Sequence, residues 1–527
     1  MTDDGSPARS GRSEQPEGAE QPEQVQQPEG ARRSGPPPAG PDLVGLLRAG
    51  AARDPHGIAV STRGSAAWQS MTRTELLAAA LNAAARLTAR DRPPGPVIVL
   101  VDNTPTCVAT MLGLFIAGVD TLLVERENSH LGEAGSVIHR LPLAGLVGPS
   151  DVAPVPGLDR RTFDELVHEP APAGPPPPPL NPATAVLQLT SGSTGEPRIA
   201  RQTLANTLTG GALYRDIHRI TPADTVLAMV PLAHSFGLVG ALATALVSGA
   251  GLRTMSRFRP GAALEALDAG STVLLGTPLV YQLLTPVLPR TGTRGRVRVA
   301  LSSGGPLAGT AARAAGDRLG VTVHQVYGST ETGLIACGYD RDEPWSEESA
   351  GAMAPGVDWR LRTGPAQTSR YGRGQLLVRT STMFEGYADG GAPPPAEDGY
   401  LACGDLTEIG EDGEILVVGR KDAFVNVGGR KVSPRRVEKA VSEHPGVSEV
   451  LVFGAPGRAG EEEVHAALVL RPGHDSADVL TFCRTRLMPY EVPHRVHVLT
   501  ALPRTGMGKI DRHRLRETAA MRNGENR

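Results

Sequence analysis

Several features that mark whole classes of protein are scarce in this sequence. Only four cysteines occur in 527 residues, Cys107, Cys337, Cys403 and Cys483, and no two of them form a Cys-x-x-Cys pair. A disulfide framework or a zinc site is therefore not expected, and a reducing compartment, the cytoplasm, fits this usage. Aromatic residues make up 4% of the chain, which argues against a surface that stacks nucleic-acid bases.

Strong net charge and long apolar runs are lacking as well. The formal net charge of −3 gives no general attraction to nucleic acid or to an anionic membrane. The most apolar window, Cys107 to Val119, is shorter than the roughly 20 residues that span a bilayer, so we expect a buried helix there and no membrane span. Met1 to Pro41 contains no apolar segment, and no signal peptide is expected.

The rest of the composition is that of a multidomain globular protein. With 40% hydrophobic residues, a chain of 527 residues exceeds one ordinary core, so two or three domains are expected. Residues 1–41 are rich in Pro, Gly, Glu and Gln and contain almost nothing that could enter a core. This segment is predicted to be a disordered tail, either a docking arm or a passive extension.

After this tail the pattern becomes that of an α/β protein. Thr72 and Glu75 have the spacing of a capping box, which predicts a helix from Leu76 to Leu87. Pro96 to Val101 is apolar throughout and predicts a buried parallel strand, and a helix through Met111 to Ala117 follows it. Apolar strands that alternate with helices predict doubly wound sheets.

A cluster of hydroxyl side chains and glycines follows the apolar run Ala185 to Leu187. With its neighbours the cluster reads Thr190, Ser191, Gly192, Ser193, Thr194, Gly195, Glu196, Pro197 and Arg198. Glycines let backbone N–H groups approach an anion closely, and Ser and Thr add donors to phosphate oxygens. No Walker motif is present, and by composition alone such a cluster is more often a surface loop.

This string closely resembles the phosphate loop of the ANL superfamily of adenylate-forming enzymes. The superfamily includes acyl- and aryl-CoA synthetases, peptide-synthetase adenylation domains and luciferases. The resemblance implies that Thr190 to Gly195, together with Arg198, bind ATP through its β- and γ-phosphates. The superfamily usually has Lys where Arg198 stands, so the charge is kept while the geometry of the donor differs.

A histidine segment supports the resemblance and bears on the substrate. His234 follows an apolar strand predicted over Thr225 to Pro231, at the strand end where open α/β sheets bind ligands, although a structural turn histidine is equally plausible. The resemblance places His234, Ser235 and Phe236 along an acyl pocket and implies that His234 is also a catalytic residue, with Thr330, Glu331 and Lys509. Amino-acid-activating relatives carry an Asp near this position, so its absence favours an acid without an α-amino group.

Two further motifs complete the implied nucleotide site. Gly304 and Gly305 permit close approach of an acyl group or a flat ring, and the resemblance implies that Gly304 contacts AMP and Gly305 the acyl pocket. Tyr327, after a strand predicted over Val321 to Val326, opens a full match to the superfamily's Y-G-x-T-E motif. The implied roles are Tyr327 at the adenine, Gly328 at AMP and the acyl pocket, Ser329 at AMP, Thr330 at the α-phosphate and Glu331 at Mg²⁺.

The resemblance continues to the boundary between two domains. Gly374 to Thr380 and Gly413 to Val418 predict strands of a smaller antiparallel unit, and Asp405 lies between them. The resemblance implies that Asp405 binds the ribose hydroxyls, that Arg420 contacts the ribose or a phosphate, and that Asp422 is the hinge.

The carboxyl-terminal part predicts a small β-α-β-β-α unit. Ser433 and Pro434 form a favourable helix start. The resemblance implies that Gly428 and Gly429 line a thiol channel and that Lys431 contacts the nucleotide. Lys509, in a string close to L-P-x-T-x-x-G-K-[IVL], is implied to carry the adenylation half-reaction.

Taken together, the resemblance covers about Asp42 to Leu515 and implies a two-step reaction. A carboxylate attacks the α-phosphate of ATP·Mg²⁺ to give an acyl-adenylate, and the thiol of coenzyme A or of a phosphopantetheinyl carrier protein then takes the acyl group. The acid is an aryl acid or an aliphatic acyl chain, and these alternatives stay open, as does a place in secondary metabolism. An amide synthetase with an amine acceptor and an inactive nucleotide-binding homologue are the alternative functions.

The expected organisation has four parts: a tail (1–41), an amino-terminal adenylation domain of doubly wound sheets with a small β-subdomain (42–419), a mobile α+β lid domain (420–517) and a second tail (518–527). Any carrier protein must be a separate partner, since no carrier signature occurs in the sequence. A cytoplasmic monomer or homodimer is expected.

Overall fold

The structure is a computed structural model. It describes residues 42–64, 67–88, 94–126, 128, 131, 135–152, 155, 157–171, 180–190, 197–289, 296–341, 345–346, 348–364, 367–390, 396–420, 425–427, 430–456, 462–504, 510 and 515, with backbone alone at 396–397, 420, 426, 430–431 and 456. The chain divides into two units, Met1–Pro38 and Ala39–Arg527. The first unit lies outside the described residues, so the elements below belong to the second.

The helices of the described residues are α1 (Leu43–Arg53), α2 (Arg73–Thr88), α3 (Pro105–Ile116), α4 (Phe163–His168), α5 (Leu204–His218), α6 (Thr244–Ser248), α7 (Pro260–Asp268), α8 (Pro278–Leu284), α9 (Gly309–Leu319), α10 (Pro434–Ser442) and α11 (Ser476–Arg484). Short 3₁₀ segments cover Val137–Arg140 and Thr285–Val287, and a π-helix covers Phe236–Ala243.

The first strands of the chain are β1 (Ile58–Arg63), β2 (Trp68–Thr72), β3 (Val97–Val101), β4 (Thr121–Glu125), β5 (Gly145–Gly148), β6 (Arg160–Thr162), β7 (Ala185–Thr190), β8 (Arg198–Thr203), β9 (Thr225–Ala228), β10 (Gly251–Met255), β11 (Val273–Gly276), β12 (Val299–Ser302), β13 (Val323–Ser329) and β14 (Gly333–Cys337). The later strands are β15 (Ala352–Met353), β16 (Asp358–Arg362), β17 (Thr368–Ser369), β18 (Gly372–Arg379), β19 (Gly386–Tyr387), β20 (Ala396–Glu397), β21 (Tyr400–Ile409), β22 (Ile415–Arg420), β23 (Val425–Val427), β24 (Arg430–Val432), β25 (Val447–Pro456), β26 (Glu462–Leu470) and β27 (Arg495–Val498).

Two large mixed sheets form most of the described fold. One has the order β15-β14-β13-β12-β11-β9-β10-β1-β2, and the other has the order β19-β8-β7-β4-β3-β5-β6. The strands inside each sheet are parallel, and antiparallel strands lie at the edges. Because parallel strands end at the same edge of a sheet, loops far apart in the chain meet there. The α/β class predicted from the sequence is confirmed.

Helix α3 packs between the two large sheets. It contacts β1 and β2 on one side and β4 on the other, and of its residues only Thr106 is not buried. A helix that is apolar all round requires such a position, since each large apolar side chain contributes about 1.5–3 kcal/mol when it leaves water. The helix predicted through Met111 to Ala117 is thus present, and it begins earlier, at Pro105.

The remaining sheets are smaller. Strands β17, β16, β18, β21 and β20 form an antiparallel sheet, to which β22 adds by pairing with β21. The carboxyl-terminal part has a hairpin of β23 and β24 and a sheet of β25, β26 and β27. It has its own hydrophobic core, which includes Val437, Val441 and Leu468 and draws no residue from before Val425.

Several local predictions can be compared with the described residues. The Thr72–Glu75 capping box is present, since Thr72 N donates to Glu75 Oε2 at 2.7 Å and Glu75 N donates to Thr72 Oγ1 at 3.2 Å. Ser433 is the N-cap of α10 as predicted, but its side chain makes no capping hydrogen bond.

Two site segments that were left outside the predicted strands are part of strands in the structure. Tyr327 to Ser329 continue β13, since β14 folds back and pairs with them around a bulge. Asp405 lies within β21, where it pairs with Arg420 of β22. In both cases a partner strand from later in the chain supplies hydrogen bonds that the local sequence does not indicate.

None of the described helices is long and apolar enough to cross a membrane.

Candidate nucleotide and acyl-acid site

The predicted phosphate loop begins and ends on paired strands. β7 and β8 are antiparallel, and Thr190 is the register partner of Arg198. The loop residues between them, 191–196, lie outside the described residues, so the predicted roles of Ser191, Gly192, Ser193, Thr194 and Gly195 stay predictions.

Both flanking residues carry a buried polar atom without a partner. Among the described residues, neither Thr190 Oγ1 nor Arg198 Nη2 has a hydrogen-bond partner. An unsatisfied buried donor costs roughly 1–3 kcal/mol, so such atoms are rare unless a ligand completes them. Their position on either side of the loop fits oxygen acceptors such as those of a triphosphate.

The guanidinium of Arg198 is otherwise held firmly by its own chain. Its Nε donates to Asp389 Oδ2 at 2.9 Å, and the side chain of Asp389 is only 2% exposed. Its Cζ lies 3.9 Å from the centroid of the Tyr387 ring, within the range of a cation–π contact. Arg198 is therefore fixed in orientation beside the loop rather than free to follow a ligand.

The side chain of Glu331 contacts the same tyrosine, Tyr387, that packs against Arg198. Tyr387 OH donates to Glu331 Oε1 at 3.0 Å, while the backbone N of Phe384 donates to Glu331 O at 2.9 Å. Burial, followed by the negative charge of Glu331, raises the pKa of Tyr387 above its usual range, so the phenol stays protonated and donates.

Thr330 is held by Gln202 of the other large sheet and by Ser235 of the segment that follows β9. Gln202 Nε2 on β8 donates to Thr330 O at 2.9 Å. Ser235 Oγ lies 3.0 Å from Thr330 Oγ1 and 2.9 Å from Gln188 Oε1, and Gln188 Nε2 donates to Ala233 O at 2.7 Å. These bonds join Thr330 to the segment that carries the predicted acyl-pocket residues.

His234 has an acidic partner that the sequence did not indicate. Its Nε2 lies 2.5 Å from Glu125 Oε1, at the carboxyl end of β4, although the two residues are 109 positions apart in the chain. The His234 and Glu125 side chains are 29% and 19% exposed, so the pair is half-buried at the surface of the site. Phe236, two residues after His234 in the chain, is buried.

Tyr327 and Asp405 are in direct contact. Tyr327 OH donates to Asp405 Oδ2 at 2.6 Å across 78 positions of sequence. The resemblance assigns these residues to the adenine and to the ribose, which are neighbouring parts of one nucleotide. The structure thus brings together two residues whose implied ligands are themselves joined.

The structure describes the other predicted site residues to different extents. Gly304 has φ 93°, in the left-handed region where glycine is favoured. Gly305, which follows it, is exposed, and so are Gly328 and Ser329 on β13. Asp422, Gly428, Gly429 and Lys509 lie outside the described residues, and Arg420 and Lys431 are described by backbone alone. A backbone bridge joins Arg504 and Ile510, which flank residues 505–509.

Sequence reasoning missed four residues of this site: Glu125, Gln188, Tyr387 and Asp389. Glu125 could have been found by the argument used for His234, since both follow the carboxyl end of an apolar strand. Tyr387 and Asp389 offered no signal, because their role depends on the pairing of β19 with β8.

The acidic groups of the site fit a magnesium ion bound together with a nucleotide. No group of three or more His, Cys, Asp or Glu among the described residues could hold a metal ion by itself. Mg²⁺ needs no such cage, since it is usually held by one or two carboxylates, substrate phosphates and water. Glu331 supplies one carboxylate beside the loop that is predicted to bind phosphate.

Comparisons with known proteins agree with this geometry. A family model described as AMP-binding enzyme matches residues 47–388, and one described as AMP-binding enzyme C-terminal domain matches residues 436–509. The long-chain-fatty-acid–CoA ligase of Bacillus subtilis (strain 168) is 30% identical over 359 residues, which span 63% of this chain and 61% of that protein. The alignment thus covers less than two thirds of that relative.

Two solved structures share the fold over nearly their whole length. ATP-bound MatB from Rhodopseudomonas palustris has a TM-score of 0.81 at 25% identity, over 91% of this chain and 99% of that one. The o-succinylbenzoate CoA synthetase MenE from Bacillus subtilis, in complex with the acyl-adenylate intermediate OSB-AMP, has a TM-score of 0.77 at 25% identity, over 89% and 97%.

The amino-terminal family match alone covers more than half of the chain, and the resemblance stated from the sequence motifs is confirmed. The chain belongs to the AMP-binding enzyme family, within the ANL superfamily of adenylate-forming ligases.

Proposed function

We propose that this protein uses ATP to convert a carboxylic acid into an acyl-adenylate and then transfers the acyl group to a thiol. The acid is an aryl or aliphatic acid without an α-amino group, and the thiol is that of coenzyme A or of phosphopantetheine on a separate carrier protein. The observation that carries the proposal is a set of contacts that links residues of the candidate site across three sheets. Thr190 and Arg198 pair across β7 and β8, Tyr387 connects Arg198 to Glu331, and Tyr327 bonds to Asp405.

ATP binding would use groups that the fold leaves ready. The ring of Tyr327 would stack on the adenine and Asp405 would accept hydrogen bonds from the ribose hydroxyls, with the bond between them fixing both. Thr190 Oγ1 and Arg198 Nη2 would meet the β- and γ-phosphates, together with the backbone of residues 191–195.

In the first step a carboxylate oxygen of the acid attacks the α-phosphorus, and pyrophosphate leaves. Negative charge builds up on the phosphate oxygens in the transition state, so donors and cations that are already in place lower the barrier. Thr330 would contact the α-phosphate and Lys509 would bridge it to the incoming carboxylate. Mg²⁺ held by Glu331 would neutralise part of the phosphate charge.

In the second step the thiol sulfur attacks the acyl carbonyl carbon, and AMP leaves with the oxygen that came from the acid. A rotation at Asp422 would withdraw Lys509 and bring Gly428 and Gly429 to the thiol channel. Membership of the superfamily supports this rotation.

The His234–Glu125 pair supports an acid without an α-amino group. A carboxylate in an acyl pocket could in principle accept a substrate ammonium group, as the Asp of amino-acid-activating relatives does. The carboxylate of Glu125, however, already engages His234 Nε2 at 2.5 Å, so an ammonium group would have to displace that bond.

The proposal is tested by ATP–pyrophosphate exchange over a panel of aryl acids, fatty acids of graded length and amino acids. We expect exchange that depends on one class of non-amino acid and on Mg²⁺, with no exchange in the absence of acid. Exchange with the amino acids alone would overturn the assigned substrate class. No exchange with any member would favour an inactive nucleotide-binding homologue.

The acceptor is then identified with the acid that supports exchange. Coenzyme A, phosphopantetheinylated carrier proteins and amines are added separately, and AMP and the acyl product are measured. A thioester with coenzyme A or with a carrier supports the ligase, whereas an amide product would establish the alternative amide synthetase.

A further inference from the structure

The second strand beside the phosphate loop is braced by a segment from much later in the chain. Gly386 and Tyr387 form β19, which pairs with Arg201 and Ala200 of β8 in antiparallel register. This pairing places Tyr387 and Asp389 against Arg198, the residue that begins β8.

Three successive contacts connect the loop to the predicted metal carboxylate. The carboxylate of Asp389 accepts from Arg198 Nε at 2.9 Å and from the backbone N of Ile199 at 3.3 Å. The guanidinium covers the Tyr387 ring at 3.9 Å. The hydroxyl of the same ring donates to Glu331 Oε1 at 3.0 Å.

These contacts restrict what Arg198 can do. A lysine ammonium on a flexible stem could move toward a phosphate, but a planar guanidinium held at Nε and across its face cannot move far. Of its nitrogens, Nη2 is the buried one that lacks a partner in the described residues. Arg198 is therefore suited to fix geometry as well as to supply charge.

We propose that Arg198 and Tyr387 are positioning residues that set the Glu331 carboxylate at a fixed place relative to the phosphate loop, so that a magnesium–triphosphate meets both at once. This inference rests on the proposed function for the identity of the ligand. The resemblance assigns no role to Tyr387. We expect its hydroxyl group to strengthen the binding of the nucleotide in the presence of Mg²⁺.

The same combination of contacts occurs a second time in the molecule, between residues to which no role in the site is assigned. Tyr400 OH donates to Asp358 Oδ2 at 2.5 Å, and Arg360 lies 4.2 Å from the centroid of the Tyr400 ring. Tyr400→Phe thus removes the same kind of bond from the same kind of arrangement. It is the matched control for Tyr387→Phe, which keeps the ring under Arg198 and removes only the hydroxyl.

The test measures nucleotide binding without turnover. Binding of α,β-methylene ATP is measured by calorimetry in excess Mg²⁺ and in EDTA, for the full-length wild type and for both variants. We expect Mg²⁺ to tighten binding in the wild type and in Tyr400→Phe to the same extent. In Tyr387→Phe the increase in affinity for the analogue that Mg²⁺ produces, the gain from Mg²⁺, should be about tenfold smaller, because the lost hydrogen bond is to the charged Glu331 carboxylate. The affinity measured in EDTA should stay unchanged.

A second variant keeps the test valid if Tyr387→Phe does not fold, as judged by its melting temperature. Arg198→Lys keeps the positive charge but loses the planar contact with Tyr387 and the fixed bond to Asp389. It should also lower the gain from Mg²⁺, by about threefold. A gain equal to that of the wild type in the folded variants overturns the inference.

Failure of this inference is distinguishable from failure of the proposed function. Exchange without any effect of Tyr387→Phe on the gain from Mg²⁺ would remove the positioning role and leave the reaction intact. A lowered gain in an enzyme that activates no acid would support the positioning role and remove the reaction. A wild type that binds no nucleotide would remove both.

Discussion

The candidate nucleotide site and the carboxyl-terminal part of the chain differ in the interactions that stabilise them. At the site, Thr330, Glu331 and Asp405 each accept a hydrogen bond from a side chain on a strand distant in sequence or in another sheet. The carboxyl-terminal part instead has a separate hydrophobic core, and an exposed ion pair between Lys439 and Glu348, at 2.6 Å, links it to the rest.

This difference suggests a division of labour between the two regions. Groups that meet the nucleotide profit from fixed positions, because prearranged donors need not reorganise in the transition state. A region with its own core can change position without loss of its internal packing. The proposed movement of Lys509 between the two half-reactions requires such a region.

The largest expected effect comes from the carboxyl-terminal side. Lys509→Ala should lower acid-dependent ATP–pyrophosphate exchange by about 10²–10³, since a charge that stabilises the transition state is lost. Transfer from a supplied acyl-adenylate to the thiol should be retained, because Lys509 is proposed to withdraw before that step. Equal loss of both half-reactions would contradict the division of labour.

Next in size is the predicted metal carboxylate. Glu331→Gln should lower kcat for exchange by about 10², with partial recovery at high Mg²⁺, because one charged ligand is replaced by a neutral one. The control is Glu385→Gln, a nearby glutamate that pairs with Arg201 on the surface. Equal rates for the two variants would show that Glu331 binds no metal.

The Tyr327–Asp405 bond is expected to act mainly on ATP affinity. Tyr327→Phe keeps the ring but frees Asp405 from its 2.6 Å bond, and the KM for ATP should rise about tenfold with kcat little changed. The exposed Tyr371 provides the control Tyr371→Phe. A fall in kcat at unchanged KM would place the pair in the chemical step instead.

A smaller effect is expected at the acyl side of the site. Glu125→Gln removes the charge opposite His234 but keeps the size of the side chain, and the KM for the acid should change about threefold to tenfold while the KM for ATP does not. Glu265→Gln, which breaks a surface pair with Arg63, is the control. A change in the KM for ATP alone would separate this pair from the acyl pocket.

The smallest effect is expected where the two regions touch. Lys439 and Glu348 are 66% and 50% exposed, and such ion pairs contribute about 0–1 kcal/mol. Lys439→Ala should therefore shift the free energy of unfolding by no more than about 1 kcal/mol and leave exchange unchanged. A large loss of stability in chemical denaturation would show that the regions are held together more firmly than this.

The sequence predicted those parts of the structure that depend on local pattern. The Thr72–Glu75 capping box, the buried strand β3 and the helix α3 follow from residues within a few positions of one another. Motif resemblance supplied the residues that are proposed to bind the nucleotide, and the family comparisons confirm the superfamily.

The contacts between distant residues could not be predicted in the same way. Arg198 and Asp389 are 191 positions apart, and Tyr387 and Glu331 are 56 apart. They meet because β19 adds to the edge of one sheet while β13 ends in the other, and no periodicity in the sequence encodes that pairing. The strand character of Tyr327 was missed for the same reason.

The central claim is that a carboxyl oxygen becomes bonded to the α-phosphorus of ATP. The most direct test is to supply the acid that supports exchange with ¹⁸O in both carboxyl oxygens, together with ATP, Mg²⁺ and the thiol acceptor, and to analyse the AMP by mass spectrometry. The account predicts AMP that carries one ¹⁸O atom. Unlabelled AMP, or ADP as the nucleotide product, would contradict it.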